Sequence, residues 1–570
     1  MERRVLLAIS LSFLVLFAYQ SYFAPPPPAP AGAPTITSTG GAPGAGTPGT
    51  ATPGSAIPGT TPGPASAVAP SAAPASPAPV LTVEEGESSE RDITVETRTV
   101  RAVFSNRGAR IKHWILKQYE NDEGEPLDLV PDAESVNNAF MPFSLRLEDP
   151  ALTSAINGGL YRTDAAGTVD ATAGSTTISF GWRGAGGLRV TKSFTLQPDG
   201  YIVGFTAAVD QNGQTLNPIV EWGPGLGDDN AHASAGSFLA PSYSTPAQAL
   251  LHRDRSVTRF TTPGTDEGPF LYAGIDDHYF AALALNDPAQ LQTLRVSHTS
   301  FVVPPKTAEA PPGRYAAFAV QYPQPPRNQR FFFGPKAFDE LRAIDTELVR
   351  VINFGIFSVL AVPLLGALKW VYQYVGNWGW AIIALTVLIN LAMFPLRQKA
   401  VSSMRRMQEI QPQMKAIQER YAKYKITDPQ RQKMNEEVMA LYKEKGVNPA
   451  SGCVPMLLTF PFLFAFYAML SQAIEIRGAD FFGWITDLSR PDPLFVTPLI
   501  MGATMFWQQK ITPTSADPVQ QRVMMIMPVM FTFMFLSYPS GLVIYWTISN
   551  IWAIGQQLLT TRLVPAKTKS

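Results

Sequence analysis

Thr386 and Asn390 stand one helical turn apart inside an apolar run, Trp378 to Leu396, and Arg397 follows two turns further on the same face. More polar groups, Thr504, Gln508, Gln509, Thr532, Ser549, Asn550, Gln556 and Gln557, recur in the later apolar runs, mostly towards one end of each. Amides, hydroxyls and a guanidinium break no bonds by themselves. They can hold water and peptide groups where lipid would exclude both, because a polar group in hydrocarbon costs free energy unless it lines a cavity or finds a partner. For a single Thr or Ser, a hydroxyl bonded back to its own helix is the simpler account. Together these groups predict a wet cavity reaching only part-way across a bilayer.

Other chemistry finds little support. Forty-five basic residues balance forty-five acidic ones, which argues against direct nucleic-acid recognition by bulk charge. Cys453 is the only cysteine, so no internal disulfide can form, and its apolar surroundings suit a small buried thiol. No Gly-rich phosphate loop, paired-Cys metal spacing or nucleophile elbow is present, and the five histidines are scattered between His113 and His298. No cofactor is implied. Asp276, Asp277 and His278 form an acid–base string, better suited to a hydrogen-bonding site at a strand end than to catalysis. The apolar runs carry no Asp or Glu, which counts against an ion-coupled pump.

The elements that must position these residues follow from composition. Arg3 and Arg4 precede an apolar stretch that ends in Tyr19-Gln20-Ser21-Tyr22-Phe23, a poor cleavage site; residues 1–24 read as an uncleaved transmembrane anchor with a cytoplasmic N-terminus. Residues 25–85, rich in Pro, Ala, Gly, Ser and Thr, read as a disordered tether. Residues 86–335 change to short alternating runs broken by turns; Tyr201, Val203, Phe205, Ala207 and Val209 after Pro198-Asp199-Gly200 show the period of two. A large β-sandwich outside the cytoplasm is expected. Beyond it, apolar runs are expected as spans at 377–396, 453–472, 494–510, 523–538 and 540–560, the last two separated by Tyr538-Pro539-Ser540-Gly541.

Between Arg397 and Lys445, twelve Lys and Arg face six Asp and Glu, a surplus of six. Were Val351–Leu368 also a span, this basic segment would fall on the outer side, against the positive-inside bias. Residues 336–376 are therefore expected to hold an interfacial helix on the outer face. Six spans result, with both termini cytoplasmic and a basic tail at 562–570. Residues 397–450 read as a cytoplasmic antiparallel hairpin: Met407, Ile410, Met414, Ile417, Tyr421 and Tyr424 form a seam, and Met434, Val438 and Leu441 the matching face. Asp428-Pro429 should start the return helix, Gly446 should stop it, and Pro412 should kink the outgoing arm. A plain coiled coil with solvated basic faces accounts for the pattern. The basic residues Arg405, Arg406, Lys415, Arg420, Lys423, Lys425, Arg431 and Lys433 could also dock nascent chains, ribosomes or lipid headgroups.

Several strings resemble one family, the YidC/Oxa/Alb membrane protein insertases, in the long form of Gram-negative inner membranes. They are Phe333-Gly334-Pro335-Lys336, Val375-Gly376-Asn377-Trp378-Gly379, Phe394-Pro395-Leu396, Asn448-Pro449 with Gly452-Cys453-Val454-Pro455, Asp517-Pro518, and Pro539-Ser540-Gly541-Leu542-Val543. The last 240 or so residues match closely; the outer domain matches more loosely, through Trp222-Gly223-Pro224-Gly225 and His278-Tyr279-Phe280. The resemblance implies a multi-domain membrane protein. Its parts would be an α-helical core of five spans, an N-terminal anchor helix, an extracytoplasmic β-supersandwich and a cytoplasmic helical hairpin. It also implies a hydrophilic groove open to cytoplasm and lipid but closed outside, with nascent membrane proteins as clients and the secretion translocon (Sec), ribosomes and membrane lipids as partners. By the same resemblance, client apolar segments slide along Val454, Met456, Thr459, Phe460 and Leu463 and along Val529, Met530, Thr532 and Phe533. Thr386, Tyr545 and Trp546 take positions that support the core.

One position departs from the family pattern. Where the family places Arg or Lys in the groove, four residues after Thr386, this chain has Asn390. Arg397, about 10 Å further along an ideal helix, is the candidate replacement, with Pro395 intervening. A secondary transporter should show repeated halves with broken helices, and no such repeat is seen. A membrane-anchored envelope glycan-binding protein would need one span rather than six.

Overall fold

The computed structural model describes residues 83–121, 124–131, 141–227, 248–253, 256–260, 262–303, 313–422, 424, 428–446, 454–512 and 518–563. The expected anchor, nearly all of the tether and most of the C-terminal tail lie outside the described residues. The compact unit that contains the rest runs from Leu81 to Ser570.

Among the described residues, twenty strands make one ten-stranded and two five-stranded sheets, antiparallel except where Asp92–Glu96 pairs with Thr168–Asp170. The alternation after residue 200 becomes the strand Ile202–Gln211, with Val203, Phe205, Ala207 and Val209 all buried. Its neighbours in the large sheet are Leu188–Leu196 and, on the other side, the last strand, Gln329–Pro335. That strand also pairs with Phe280–Leu285, so it sits inside the sheet; Phe331, Phe332 and Phe333 are accordingly buried in sequence, on both faces.

Aromatic rings fill the space between sheets. Phe194, Phe205, Phe331 and Phe333 of the large sheet all pack against Phe143 at centroid separations of 4.7–5.6 Å. Trp222 of one small sheet stacks on Phe333 at 3.8 Å, and Trp114 of the other donates its indole N–H to the Phe333 carbonyl at 2.9 Å. Buried aromatics add specific ring contacts to their large apolar area, which suits three sheets meeting at one core. Lys192 points into this core, fully buried. Its Nζ donates to the carbonyls of Gly108, Ala109 and Phe143, at 2.6, 3.3 and 2.8 Å, while burial holds its pKa well below the usual lysine range. Among the described residues the sandwich also carries an α-helix, α1 (Pro150–Gly158), capped by Asp149, which accepts from the Ala151 N–H.

Two histidines of this domain titrate in opposite directions. A hydrogen bond from His113 Nδ1 to the Asp128 carboxylate, 2.6 Å away, raises His113 above its ordinary value. Burial lowers His252, which stacks on Tyr272 at 4.6 Å and outweighs the pull of Glu347. The contribution of His113 to stability is therefore complete below its unfolded value of about 6.5 and is lost as pH rises through the raised folded value. For His252, stability is lost as pH falls from about 6.5 through the lowered folded value. Histidine-selective NMR of the full chain, with only five signals to assign, should show one midpoint on each side of 6.5; both on one side would contradict these environments.

After the sheets come α2 (Phe338–Ile344), α3 (Ser358–Val375), α4 (Trp378–Arg420), α5 (Pro429–Glu444), α6 (Val454–Gln472), α7 (Val496–Ile511), α8 (Pro518–Phe535) and α9 (Ser540–Leu563). Gly376 ends α3 in the left-handed region, and Asn377 starts α4 by accepting from the Trp380 N–H at 3.1 Å. The residues expected as a span at 377–396 and those opening the expected hairpin belong to one helix. α4 runs 43 residues without interruption, about 65 Å at helical rise, through both Pro395 and Pro412. Each proline removes one backbone bond, and packing on α5, α6 and α9 keeps the helix continuous. The helix within the apolar run from Val351 begins only at Ser358, after two 3-10 turns.

Against α4, α5 starts at Asp428, whose carboxylate accepts from Gln430 N–H, and Gly446 follows it at φ +61°. Met407 and Ile410 are buried with Tyr442 against them, apart from the main core, and the Tyr442 hydroxyl lies 3.0 Å from Met414 Sδ. Tyr421 donates to Glu437 at 2.8 Å.

Candidate functional site

The polar residues of α4 form a chain of bonds. Thr386, fully buried, donates to the Ile382 carbonyl at 2.6 Å. Asn390 donates through Nδ2 to the Thr386 carbonyl at 2.8 Å, leaving its Oδ1 to accept from Arg397 Nη1 at 2.6 Å. Seven residues bring a helix round to nearly the same face, so the guanidinium reaches back along α4 despite Pro395. Arg397 thus delivers positive charge to the position of Asn390.

From the facing side, α9 presents Tyr545, Ser549, Gln556 and Thr560. Tyr545, one turn before Ser549 on that helix, is buried and stacks on Phe466 of α6 at 4.2 Å. Gln556 Nε2 donates to the Phe394 carbonyl at 3.3 Å, and the Thr560 hydroxyl bonds Gln398 Oε1 at 2.7 Å. Four residues of α9 on one stripe therefore meet the polar stretch of α4 between Asn390 and Gln398. Gln398 and Thr560 were missed by sequence reasoning; at a span end they look like any solvated pair.

Other predicted residues go elsewhere. Asn550 turns to α7, with Nδ2 3.4 Å from the Thr504 hydroxyl. Thr532 bonds back to Pro528 O at 2.8 Å and packs where α7 and α8 touch, so closely that a Cβ on Gly502 would fall 1.9 Å from its hydroxyl. Trp546 lies against Phe531 and Phe535 of α8, at 5.8 and 4.9 Å, on a different side of α9 from the Arg397 cluster. Gln508 and Gln509 are half-buried at the end of α7. For Thr386, Thr504 and Thr532 the self-bonded hydroxyl is what is found. The structure thus gathers Thr386, Asn390, Arg397, Tyr545, Ser549 and Gln556, whereas Thr504, Thr532, Trp546 and Asn550 face other neighbours.

On α8, Val529, Met530 and Phe533 are exposed, at 52%, 46% and 63%, whereas Leu463 on α6 is half-buried. The side chains of Val454, Met456, Thr459 and Phe460 lie outside the described residues. On the α4–α5 pair, Arg406, Lys415, Arg420 and Lys433 are exposed, and Arg420 lies 3.5 Å from Glu437. The side chains of Arg405, Lys423, Lys425 and Arg431 also lie outside the described residues. In the outer domain, Asp276 pairs with Arg259 and Lys336, and Asp277 accepts from the Tyr279 and Phe280 amides. His278 Nε2 meets the Ser471 carbonyl at 2.5 Å. All three serve as hydrogen-bonding groups at a strand end.

Comparison with known sequences decides the family. Residues 92–367 match the family model of the YidC periplasmic domain, and residues 370–567 match that of the 60Kd inner membrane protein. The membrane protein insertase YidC of Syntrophus aciditrophicus is 35% identical over 98% of this chain and 99% of its own length. The chain belongs to the YidC membrane protein insertase family. The YidC of Geobacter metallireducens is 33% identical over 99% of both chains. A crystal structure titled as an active YidC insertase with its first transmembrane domain resolved aligns at 18% identity, covering 84% of this chain and 94% of that one with a TM-score of 0.34. The assignment rests on the sequence relationships rather than on that superposition. As a YidC-family member the chain is an inner-membrane protein with a β-rich periplasmic domain and a helical C-terminal region. The full-length insertase relatives do not support the transporter and glycan-binding alternatives.

Proposed function

We propose that this membrane protein insertase moves apolar segments of nascent proteins into the inner membrane along a groove between α4 and α9, with Arg397 as its positive group. The observation that carries the reading is the 2.6 Å bond from Arg397 Nη1 to Asn390 Oδ1, which puts a guanidinium where the sequence has only a neutral amide. A charged group beside buried amides and hydroxyls keeps water in the groove and attracts an acidic client tail. The tail crosses part of the bilayer with less desolvation, and burial of the client's apolar helix, about 20 residues, supplies the net free energy. No step breaks a covalent bond, so the protein acts as an insertase and folding chaperone, not as an enzyme. Exposed Val529, Met530 and Phe533 on α8 offer a sliding surface for that helix.

The proposed topology has five core spans, α4 and α6 to α9, preceded by an N-terminal anchor, with both termini cytoplasmic. α3 is long and apolar enough to cross a membrane by composition alone. Its contacts favour the interfacial placement: Phe357 stacks on Phe464, half-way along α6, while Lys369 pairs with Glu475 just beyond the end of α6. Among the described residues, these contacts lie on the outer half of α6. The basic face of the α4–α5 hairpin then lies in the cytoplasm, suited to ribosomes, anionic lipid or Sec components.

The full chain alone in proteoliposomes should protect an acidic-tailed single-span client from protease above the level of empty liposomes. No protection, with another insertase active in parallel, would overturn the reading. The chain without residues 86–335 should still insert; loss of insertion there would assign the periplasmic domain a direct role.

A further inference from the structure

The outer ends of the core helices are tied together by one segment, residues 477–495. The Asn377 amide, which caps α4, donates to the carbonyls of Asp480 and Phe481, and a Cβ on Gly379 would fall 2.0 Å from the Phe481 ring. Across the bundle, the turn between α8 and α9 donates Ser540 N–H to Arg490 O at 2.8 Å and Gly541 N–H to Leu488 O at 3.0 Å. A Cβ on Gly541 would sit 3.1 Å from that Leu488 oxygen and 3.4 Å from Ile382 of α4, so the backbones pass close together here.

The shape of this segment depends on Asp492, which is 1% exposed. Its Oδ1 accepts from the Trp484 indole at 2.8 Å and the Leu494 amide at 2.9 Å; its Oδ2 accepts from the Thr497 amide in the first turn of α7 at 2.7 Å. Burial alone would raise the carboxyl pKa, but these donors outweigh it and hold it below the usual carboxylate range. The carboxylate also spans a strained turn, for Phe495 stands at φ +56° immediately before α7.

We infer that Asp492 is a positioning residue that keeps the outer end of the groove shut. By gathering Trp484, Leu494 and Thr497, it folds the segment so that the Leu488 and Arg490 carbonyls meet the α8–α9 turn. This rests on the reading that the groove opens inward, and it adds the group that closes the other side.

The test uses the full chain. In micelles, Asp492→Asn keeps the two bonds at Oδ1 but sets an NH2 against the Thr497 N–H. Hydrogen exchange at the distant Ser540 and Gly541 amides should quicken at least about tenfold, and more in Asp492→Ala. In client-free proteoliposomes, proton leak reported by a trapped pH dye should rise in the same order. Faster exchange confined to residues 484–497 would overturn the inference, as would faster exchange at 540–541 without leak. Should the alanine variant fail to fold, the asparagine variant decides. Neither readout needs a client, so this inference and the groove reading fail separately.

Discussion

Replacing Arg397 by alanine should lower the insertion of an acidic-tailed single-span client about tenfold, the equivalent of about 1.4 kcal/mol and the low end for one charge-assisted contact. A client with a neutral tail should change less than about twofold, because it never used the charge. The reason lies in the bond from Arg397 to Asn390, seven residues earlier, which brings the guanidinium to the side chain one turn from Thr386. Exchanging the two, Asn390→Arg with Arg397→Asn, should retain most of the acidic-tail preference, since charge returns to the same place from the other end of the pair. If Arg397→Ala leaves both clients unchanged, the charge has no part in capture.

Asp276→Ala should destabilise the periplasmic domain by about 3–5 kcal/mol, the range for breaking a buried ion pair on one side. Asp276 is 2% exposed and carries both Lys336, at 3.1 Å and itself buried, and Arg259, at 2.8 Å. Without it, the Lys336 ammonium keeps only the Asp277 carbonyl at 2.6 Å. Arg259 would also lose the anchor that aims it at the Val351 carbonyl, 2.7 Å away in the segment leading to α3. Chemical denaturation of the full protein should show the lower midpoint, and limited proteolysis should cut sooner near residues 345–357. An unchanged midpoint would mean that water reaches the cluster.

Much of this was readable from residue order, and the exceptions have physical causes. The period of two marked Ile202–Gln211, and the three-and-four spacing of Met407, Ile410 and Met414 marked the face that meets Tyr442. Asp428-Pro429 announced α5; the same signal, Asp149-Pro150, announced α1 and was passed over amid strands. Pro412 pointed to a kink in the outgoing arm, and α4 runs on as one helix through it and through Pro395. Of the polar groups in the helices, Thr386, Asn390 and Arg397 converge, yet Trp546 and Thr532 do not. Which side of α9 meets which neighbour is a tertiary fact, and a helix that is apolar nearly all round carries little periodicity to reveal it. Residue order alone does not single out Asp492, because its three donors come from residues 484, 494 and 497 only after folding.

The position of Gln329–Pro335 between Ile202–Gln211 and Phe280–Leu285 sets an order in time. Until residue 335 has left the synthesis machinery, the large sheet exists as two halves, each ending in an unpaired edge that can recruit a foreign strand. The domain closes only when its final strand slides between them, just as the first residues of the helical region arrive. A nascent chain stalled shortly before that strand should therefore be the most aggregation-prone length of this protein.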